Sequence, residues 1–569
     1  MSGGRAIPKV DHTKSYDVLV VGAGLAGLRA ALAVDPALSC VVLSKVYPVR
    51  SHSVAAQDGI NAALGPEDRW QDHASDTIRG SDYLADQDAA ELLCEDAARA
   101  VHEMVHWGTL FSRWPDGRLA QRSFGGQSYP RACYAGGGTG RALYQTLFER
   151  VVAERITVFE EFFAVSLVVA DERVAGVLAI EVASGRLIAI PARAVIFATG
   201  GAGMMYARTT NPFIATGDGL AIAYRAGLPL KDMEFIQFHP MTLPGENLLI
   251  TDRACGEGGH LQNADHDRFM GRYAPKLMEM APQDVVARAI ETEIFEGRGV
   301  GDGWVHLDLH HLGQDVIRHR LPALYDFITA HGGINPLQDP IPVQPGQHYL
   351  MGGIATGLEG QTRLPGFYAA GECAAVSVHG ANRLGANSLL EALVFGRQAG
   401  RAATRFCRRA SKAPPIPEAS WQEWLDRLAD LRGRRTHEYC WPIRARLRAT
   451  MTDNVGTFRD GKRLRSARQV LAELKQAYQH AGVMDRGDVF NYELLAFLET
   501  GFLLDVAATV VQSALLREES RGAHWRSDFP ARDDEHFLKH FLCSWSAKGP
   551  SVDEAPVTIT QWAPKPRTY

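Results

Sequence analysis

The chain has 569 residues, 46% hydrophobic and 22% charged, with a formal charge of -5 at pH 7. That length exceeds what one hydrophobic core supports and predicts three or four domains of ordinary soluble composition. The charge balance gives no electrostatic case for nucleic acid and no zinc or RNA-binding module occurs, so a nucleic-acid role is set aside.

Eight cysteines, at positions 40, 94, 133, 255, 373, 407, 440 and 543, show no CxxC or other ligand spacing. A disulfide framework, a cluster site within this chain and a metal site are therefore not expected, and the compartment reads as reducing. Residues 1–15 lack the apolar run of an export signal, and the most apolar long stretch, 494–516, is interrupted by Glu499 and Asp505, so no membrane span is predicted.

In chain order, the apolar run 17–21 predicts a strand, Gly22-Ala23-Gly24-Leu25-Ala26-Gly27 a tight turn, and the alanine-rich residues 28–33 a helix. The first two glycines let the backbone turn and approach a pyrophosphate, the third lets helix pack on strand, and free N–H groups face the phosphates. The second strand, 40–43, ends in Ser44 and Lys45 instead of the acid that holds a ribose hydroxyl, which disfavours NAD. Glycine-rich loops at 124–127 and 136–140 lead to strands between 157 and 198, the last ending at Thr199-Gly200-Gly201. A second strand that meets an acid, Glu372, follows at 365–372. Beyond Pro414, Trp421, Trp424, Leu425, Leu428 and Leu431 repeat at helical spacing and read as a core stripe, with another helix over 466–480. Arginines 432, 434, 435, 444, 446 and 448 read equally as a solvated face or as a docking surface for an acidic partner.

With Arg50-Ser51-His52 following the glycine fingerprint, the chain resembles the flavoprotein subunit of the succinate dehydrogenase and fumarate reductase family. The match extends to Glu519-Ser520-Arg521-Gly522-Ala523-His524 near the C-terminus and so covers nearly the whole chain. The resemblance implies an α/β fold: a discontinuous Rossmann-like FAD-binding domain (1–240 and 345–410), an inserted α+β capping domain (241–344), a helical domain (411–520) and a small C-terminal domain (521–569). It implies FAD bound covalently through His52, with Gly22, Gly24, Gly27, Ser44, Lys45, Ser53, Gln57, Gly59, Thr199, Gly200, Gly201, Asp218, Glu372, Arg383, Ser388 and Leu389 as its contacts.

For the substrate, the resemblance implies His239 (in Gln237-Phe238-His239-Pro240), Thr251, Asp252, His348, Arg383, Gln57 and Phe124, with Arg288 as catalytic acid or base. Removing two hydrogens from a saturated dicarboxylate calls for cations on the carboxylates, a flavin N5 for hydride and a base opposite it. An arginine suits planar, bidentate carboxylate recognition, but its pKa of about 12 or more makes it a base only if neighbouring cations and burial disfavour its charge. The chain departs from the family in three places: Asp58 lies between Gln57 and Gly59, Met241-Thr242 follow Pro240, and Asp252 and Cys255 stand where a glutamate and an outer arginine are expected. If the segment is extended, Arg253 lies about 6.6 Å from residue 255 on the same side and serves as substitute relay with Asp252.

The expected activity is succinate oxidation by the FAD-bearing subunit of a succinate:quinone oxidoreductase, with electrons leaving through an iron–sulfur subunit and a quinone-binding membrane anchor. That places the chain at the cytoplasmic face of a membrane. The alternatives are a quinol:fumarate reductase subunit, an L-aspartate oxidase-like flavoprotein disfavoured by Arg50-Ser51-His52, and a degenerate FAD-binding paralogue kept open by Asp58 and Cys255.

Overall fold

A computed structural model describes residues 11–410 and 412–567. The first ten residues of the stretch read as lacking a signal, and the outermost residues of the first and last predicted domains, lie outside it, as does residue 411.

The sheet that carries the glycine turn has eight strands. Tyr16–Val21 is flanked in parallel by Cys40–Ser44 and by the C-terminal half of Arg186–Phe197, whose other edge there pairs with Phe367–Ala369. These strands read as continuous Val, Leu and Ile because helices or other layers cover both faces. The N-terminal half of Arg186–Phe197 instead pairs antiparallel with Arg173–Glu181. One twelve-residue strand thus joins a parallel nucleotide-binding sheet to an antiparallel extension. Phe367–Ala369 arrives from far downstream, so the cofactor-binding unit is discontinuous in sequence.

A second unit hangs from two paired strands, Ile236–Thr242 and Ile341–Leu350. Val305–Asp308 and His260–Gln262 extend this sheet, and the helix Gln283–Phe295 packs against it. Residues from Met241 to Val343 form a hydrophobic core of their own, including Ile250, Phe269, Ile290 and Leu307.

The four long helices Glu418–Gly433, Cys440–Asn454, Gly461–His480 and Tyr492–Leu516 share a core with the large sheet. Trp424, Leu425, Leu428 and Leu431 are buried in it, as the helical spacing predicts, and Trp421 packs against it half-buried. Tyr492–Leu516 is long and apolar enough to cross a bilayer, with a mean hydropathy of 1.9, but 89% of that window is buried against protein. Glu499 and Asp505 within it are paired inside the molecule: Glu499 with Lys45 and Arg444, Asp505 with Arg225 and Lys475. Several arginines of the dense run are likewise internal ties. Arg444 pairs with Glu499, and Arg448 donates to the carbonyls of Tyr206 and Ala207.

The C-terminal hairpin, Lys539–Ser544 and Ser551–Pro556, continues a sheet that begins in the cofactor-binding unit, with Leu230 opposite Cys543 and Lys231 opposite Leu542. Charged side chains with no solvent exposure lock this junction: Arg517 pairs with Glu234 at 2.5 Å and with Glu519 at 3.1 Å. His540 Nδ1 lies 2.6 Å from Asp232 and Nε2 lies 3.2 Å from Asp86. Burial works against the imidazolium, but the two carboxylates outweigh it and raise the pKa to about 9. Because the folded value lies above the unfolded one, the stabilisation is complete below about pH 6.5 and disappears as pH rises through about 9. His540→Gln is therefore expected to lose on the order of 3 kcal/mol near about pH 6 in denaturant titrations, a deficit that shrinks toward zero by about pH 10. A deficit independent of pH contradicts the charge account.

Candidate active site

The glycine turn is built as the sequence implies. Gly22 has φ +113°, and a Cβ there would stand 2.1 Å from the Ala198 carbonyl oxygen. A Cβ on Gly27 would stand 1.8 Å from the Gly22 carbonyl oxygen, so both positions exclude any side chain. Gly27 thus sets the packing of the turn and does not reach the cavity beside it, unlike Gly22 and Gly24.

That cavity has a volume of about 420 Å³ and lies where Tyr16–Val21, Arg186–Phe197 and Phe367–Ala369 end. Every other residue expected to contact FAD lines it: Ser44 and Lys45 after the second strand, His52, Ser53, Gln57 and Gly59 in the following loop, Thr199, Gly200 and Gly201 after the long strand, and Asp218, Glu372, Arg383, Ser388 and Leu389. Some of these polar groups are already engaged. Lys45 Nζ bonds Asp218 at 2.7 Å and Glu499 at 2.6 Å, and Ser44 Oγ donates to the Val46 carbonyl. Burial, with Glu391 adding repulsion, pushes Glu372 up to about 7, so its carboxyl is ready to accept hydroxyl donors or to share a proton with them. Burial also holds the His52 imidazole neutral down to about pH 4. This donor set, with glycines on two sides, fits a dinucleotide whose phosphates sit at the turn.

A second, small pocket of about 30 Å³ adjoins the first, and Arg383 lines both. Arg383 is 3% exposed; Nε donates to Gln237 Oε1 at 3.1 Å, Nη1 lies 3.4 Å from Ser388 Oγ, and the guanidinium stacks over Tyr349. Phe124 and Asp252 line the small pocket with Cys255 and Gln283.

His239 is fully buried, and its Nε2 lies 3.1 Å from Asp252 Oδ1 without hydrogen-bond alignment. Burial disfavours charge on both, yet their attraction prevails: the His239 pKa is raised and that of Asp252 lowered. Gln283 Nε2 donates to the other Asp252 oxygen at 2.6 Å. His348 faces the large cavity with Nδ1 2.8 Å from Thr210 Oγ1, and burial together with charged His239 and Arg383 keeps it neutral. Thr251 Oγ1 is directed to Asp58 at 3.4 Å.

Two further expected residues line neither cavity. Arg288 is held away from both cavities: its guanidinium donates to the Gly522 carbonyl at 2.8 Å, pairs with Asp284 at 2.9 Å and stacks on Trp525. The helix Gln283–Phe295 presents its first residue to Asp252, and position 288 lies about 140° further around. The segment after Asp252 is also not extended but a helical turn, Arg253–Gly256, begun by a bond from the Arg253 N–H to Thr251 Oγ1. Arg253 consequently leans to Glu257 at 3.7 Å, while Cys255 turns inward onto Met241 Sδ. The extended register expected for Arg253 is thus corrected: residues 253 and 255 do not share a side.

The sequence reading missed Gln283 and Arg122. Arg122 Nη2 donates to the backbone carbonyls of Gln57 and Asp58 and stacks on Tyr134 and Phe124. Pro282 before an acidic first turn does mark the helix start that points Gln283 inward.

Comparison with known proteins identifies the family. A family described as FAD binding domain matches residues 17–389, and one described as Fumarate reductase flavoprotein C-term matches 444–569. The fumarate reductase flavoprotein subunit of Mycobacterium tuberculosis (strain ATCC 25618 / H37Rv) is 44% identical, over 98% of this chain and 100% of its own length. The succinate dehydrogenase flavoprotein subunit of Rickettsia felis is 41% identical over 96% of each. Among solved structures, an E. coli quinol fumarate reductase variant superposes with a TM-score of 0.95 at 38% identity, over 98% of this chain and 99% of that one. Mycobacterium smegmatis Sdh1 in complex with UQ1 gives 0.86 at 35% identity, over 98% and 96%. The chain belongs to the succinate dehydrogenase and fumarate reductase flavoprotein family, whose members are FAD-dependent oxidoreductases.

Proposed function

We propose that this chain is the FAD-bearing catalytic subunit of a complex that interconverts succinate and fumarate and exchanges electrons with a quinone. The observation that carries the reading is the position of Arg383, buried and clamped by Gln237 in the wall shared by the cofactor cavity and the small pocket. A guanidinium fixed there holds a carboxylate beside the cofactor in one orientation, which is the positioning that dehydrogenation next to a carboxylate needs. FAD, when bound, supplies the hydride acceptor and donor at its N5. The chain's own residues fix the acid: Arg383 anchors it, neutral His348 borders the cofactor cavity, and the His239–Asp252 pair holds a proton at the imidazole. Gln283 orients that pair through Asp252.

The neutral His52 keeps a nitrogen lone pair available, which supports attachment of the flavin there. The relatives' names divide between succinate dehydrogenase and fumarate reductase, so both directions belong to the proposal; Gln57 leans it slightly toward succinate oxidation.

Among the described residues no group of three or more metal-ligating side chains occurs, and all eight cysteines are free, seven of them buried. The similarity to subunits of quinol fumarate reductase and of Sdh1 with UQ1 supports electrons leaving through an iron–sulfur subunit and a quinone-binding membrane anchor, which would hold this subunit peripherally at the cytoplasmic face.

Succinate added anaerobically to the purified holoprotein is expected to bleach the flavin, and fumarate to restore it. Arg383→Ala should weaken succinate binding about 100-fold or more with flavin content retained. Absence of bleaching in either direction, or unchanged affinity in the variant, contradicts the assignment. Acid precipitation should leave the yellow colour on the polypeptide and His52→Ser should release it; free flavin in the wild-type supernatant would exclude the covalent link.

A further inference from the structure

Asp58 has no part in the scheme above, yet it stands where the acid-binding groups converge. It lines the cofactor cavity one residue after Gln57. Its loop is pinned, because Arg122 donates to the backbone carbonyls of both residues. Its Oδ1 lies 3.4 Å from Thr251 Oγ1, so the hydroxyl expected to meet a substrate carboxylate already faces a carboxylate of the protein.

The charged groups that act on Asp58 come from four separate segments: Asp252, His239, Arg122 and Arg383. Two further histidines in the cavity wall, His52 and His348, are kept neutral by burial and do not offset it. Two carboxylates thus already draw on two guanidiniums and one imidazole. One guanidinium, that of Arg122, is occupied by backbone carbonyls. A dianionic acid seated on Arg383 would put its second carboxylate beside Asp58, where like charges repel.

We propose that Asp58 is the charge-selecting residue of the acid site: ionised, it takes the donor that a second substrate carboxylate would use, so acids enter as monoanions. A monocarboxylate then binds directly, and a dicarboxylate binds together with one proton, shared between its free end and Asp58. The proposal rests on Arg383 as the carboxylate anchor and adds the charge the bound acid carries. Burial and the nearby Asp252 raise the pKa of Asp58, in keeping with a carboxyl able to take up that proton.

The test measures dissociation constants of malonate and propionate, neither of which needs to be turned over, by perturbation of the flavin spectrum in the holoprotein, Asp58→Asn and Asp58→Gly. Coupled uptake of one proton weakens wild-type malonate binding by up to about tenfold per pH unit, so a loss of at least about tenfold is expected between about pH 6.5 and 8.5. Both variants should change by less than about threefold over that range and bind malonate at least about tenfold more tightly than wild type at the higher pH, with propionate little altered. The glycine variant shows that the effect is loss of the carboxylate and not gain of an amide. A malonate pH dependence common to all three proteins, or weaker malonate binding in Asp58→Asn, overturns the proposal. Absence of any acid binding in all three proteins would instead overturn the Arg383 reading itself, and with it this one.

Discussion

The site is organised by one buried hydrogen-bonded clamp. Gln237, on the strand that leads from the cofactor-binding unit into the inserted one, donates through Nε2 to Asn382 Oδ1 and the Arg383 carbonyl and accepts through Oε1 from Arg383 Nε. Gln237 is fully buried, and Asn382 and Arg383 nearly so. Loss of one partner would leave polar groups stranded in the interior, which costs more than a surface bond is worth. The same strand carries His239 two residues later, so one side chain sets the spacing between the guanidinium and the His239–Asp252 pair. The cavity wall and the small pocket meet at Arg383.

Much of this arrangement was written in the sequence. The glycine turn, the strands that end at the cavity and the return of Glu372 beside Gly201 follow from apolar runs interrupted by glycines that no other residue can replace sterically. The spacing of Trp424, Leu425, Leu428 and Leu431 gave a buried helical face, because apolar side chains on one stripe have nowhere else to go. The fate of the arginine-rich run was not legible, since composition does not say that Arg444 and Arg448 end on Glu499 and on backbone carbonyls from distant segments.

Two placements reflect local register that the sequence does not display. A helix that begins at Gln283 turns residue 283 and residue 288 to different faces, so Gln283 meets Asp252 while Arg288 meets Trp525 and the Gly522 carbonyl. The Thr251-Asp252 start of a helical turn converted an assumed alternation of side chains into a three-residue periodicity, which brings Cys255 inward and sends Arg253 outward. Asp58 was visible as a departure, but only its environment shows that it lines the cofactor cavity and meets Thr251. Charge at this site is thus balanced differently from what a dianion-binding pocket requires.

The central claim is that an acid binds on Arg383, between the cofactor cavity and the small pocket. Its most direct test is a crystal structure of the FAD-loaded protein with malonate bound. The account predicts one malonate carboxylate within hydrogen-bond distance of the Arg383 guanidinium, with Arg288 still on the Gly522 carbonyl. Malonate bound elsewhere, or contacted by Arg288 in place of Arg383, would contradict it.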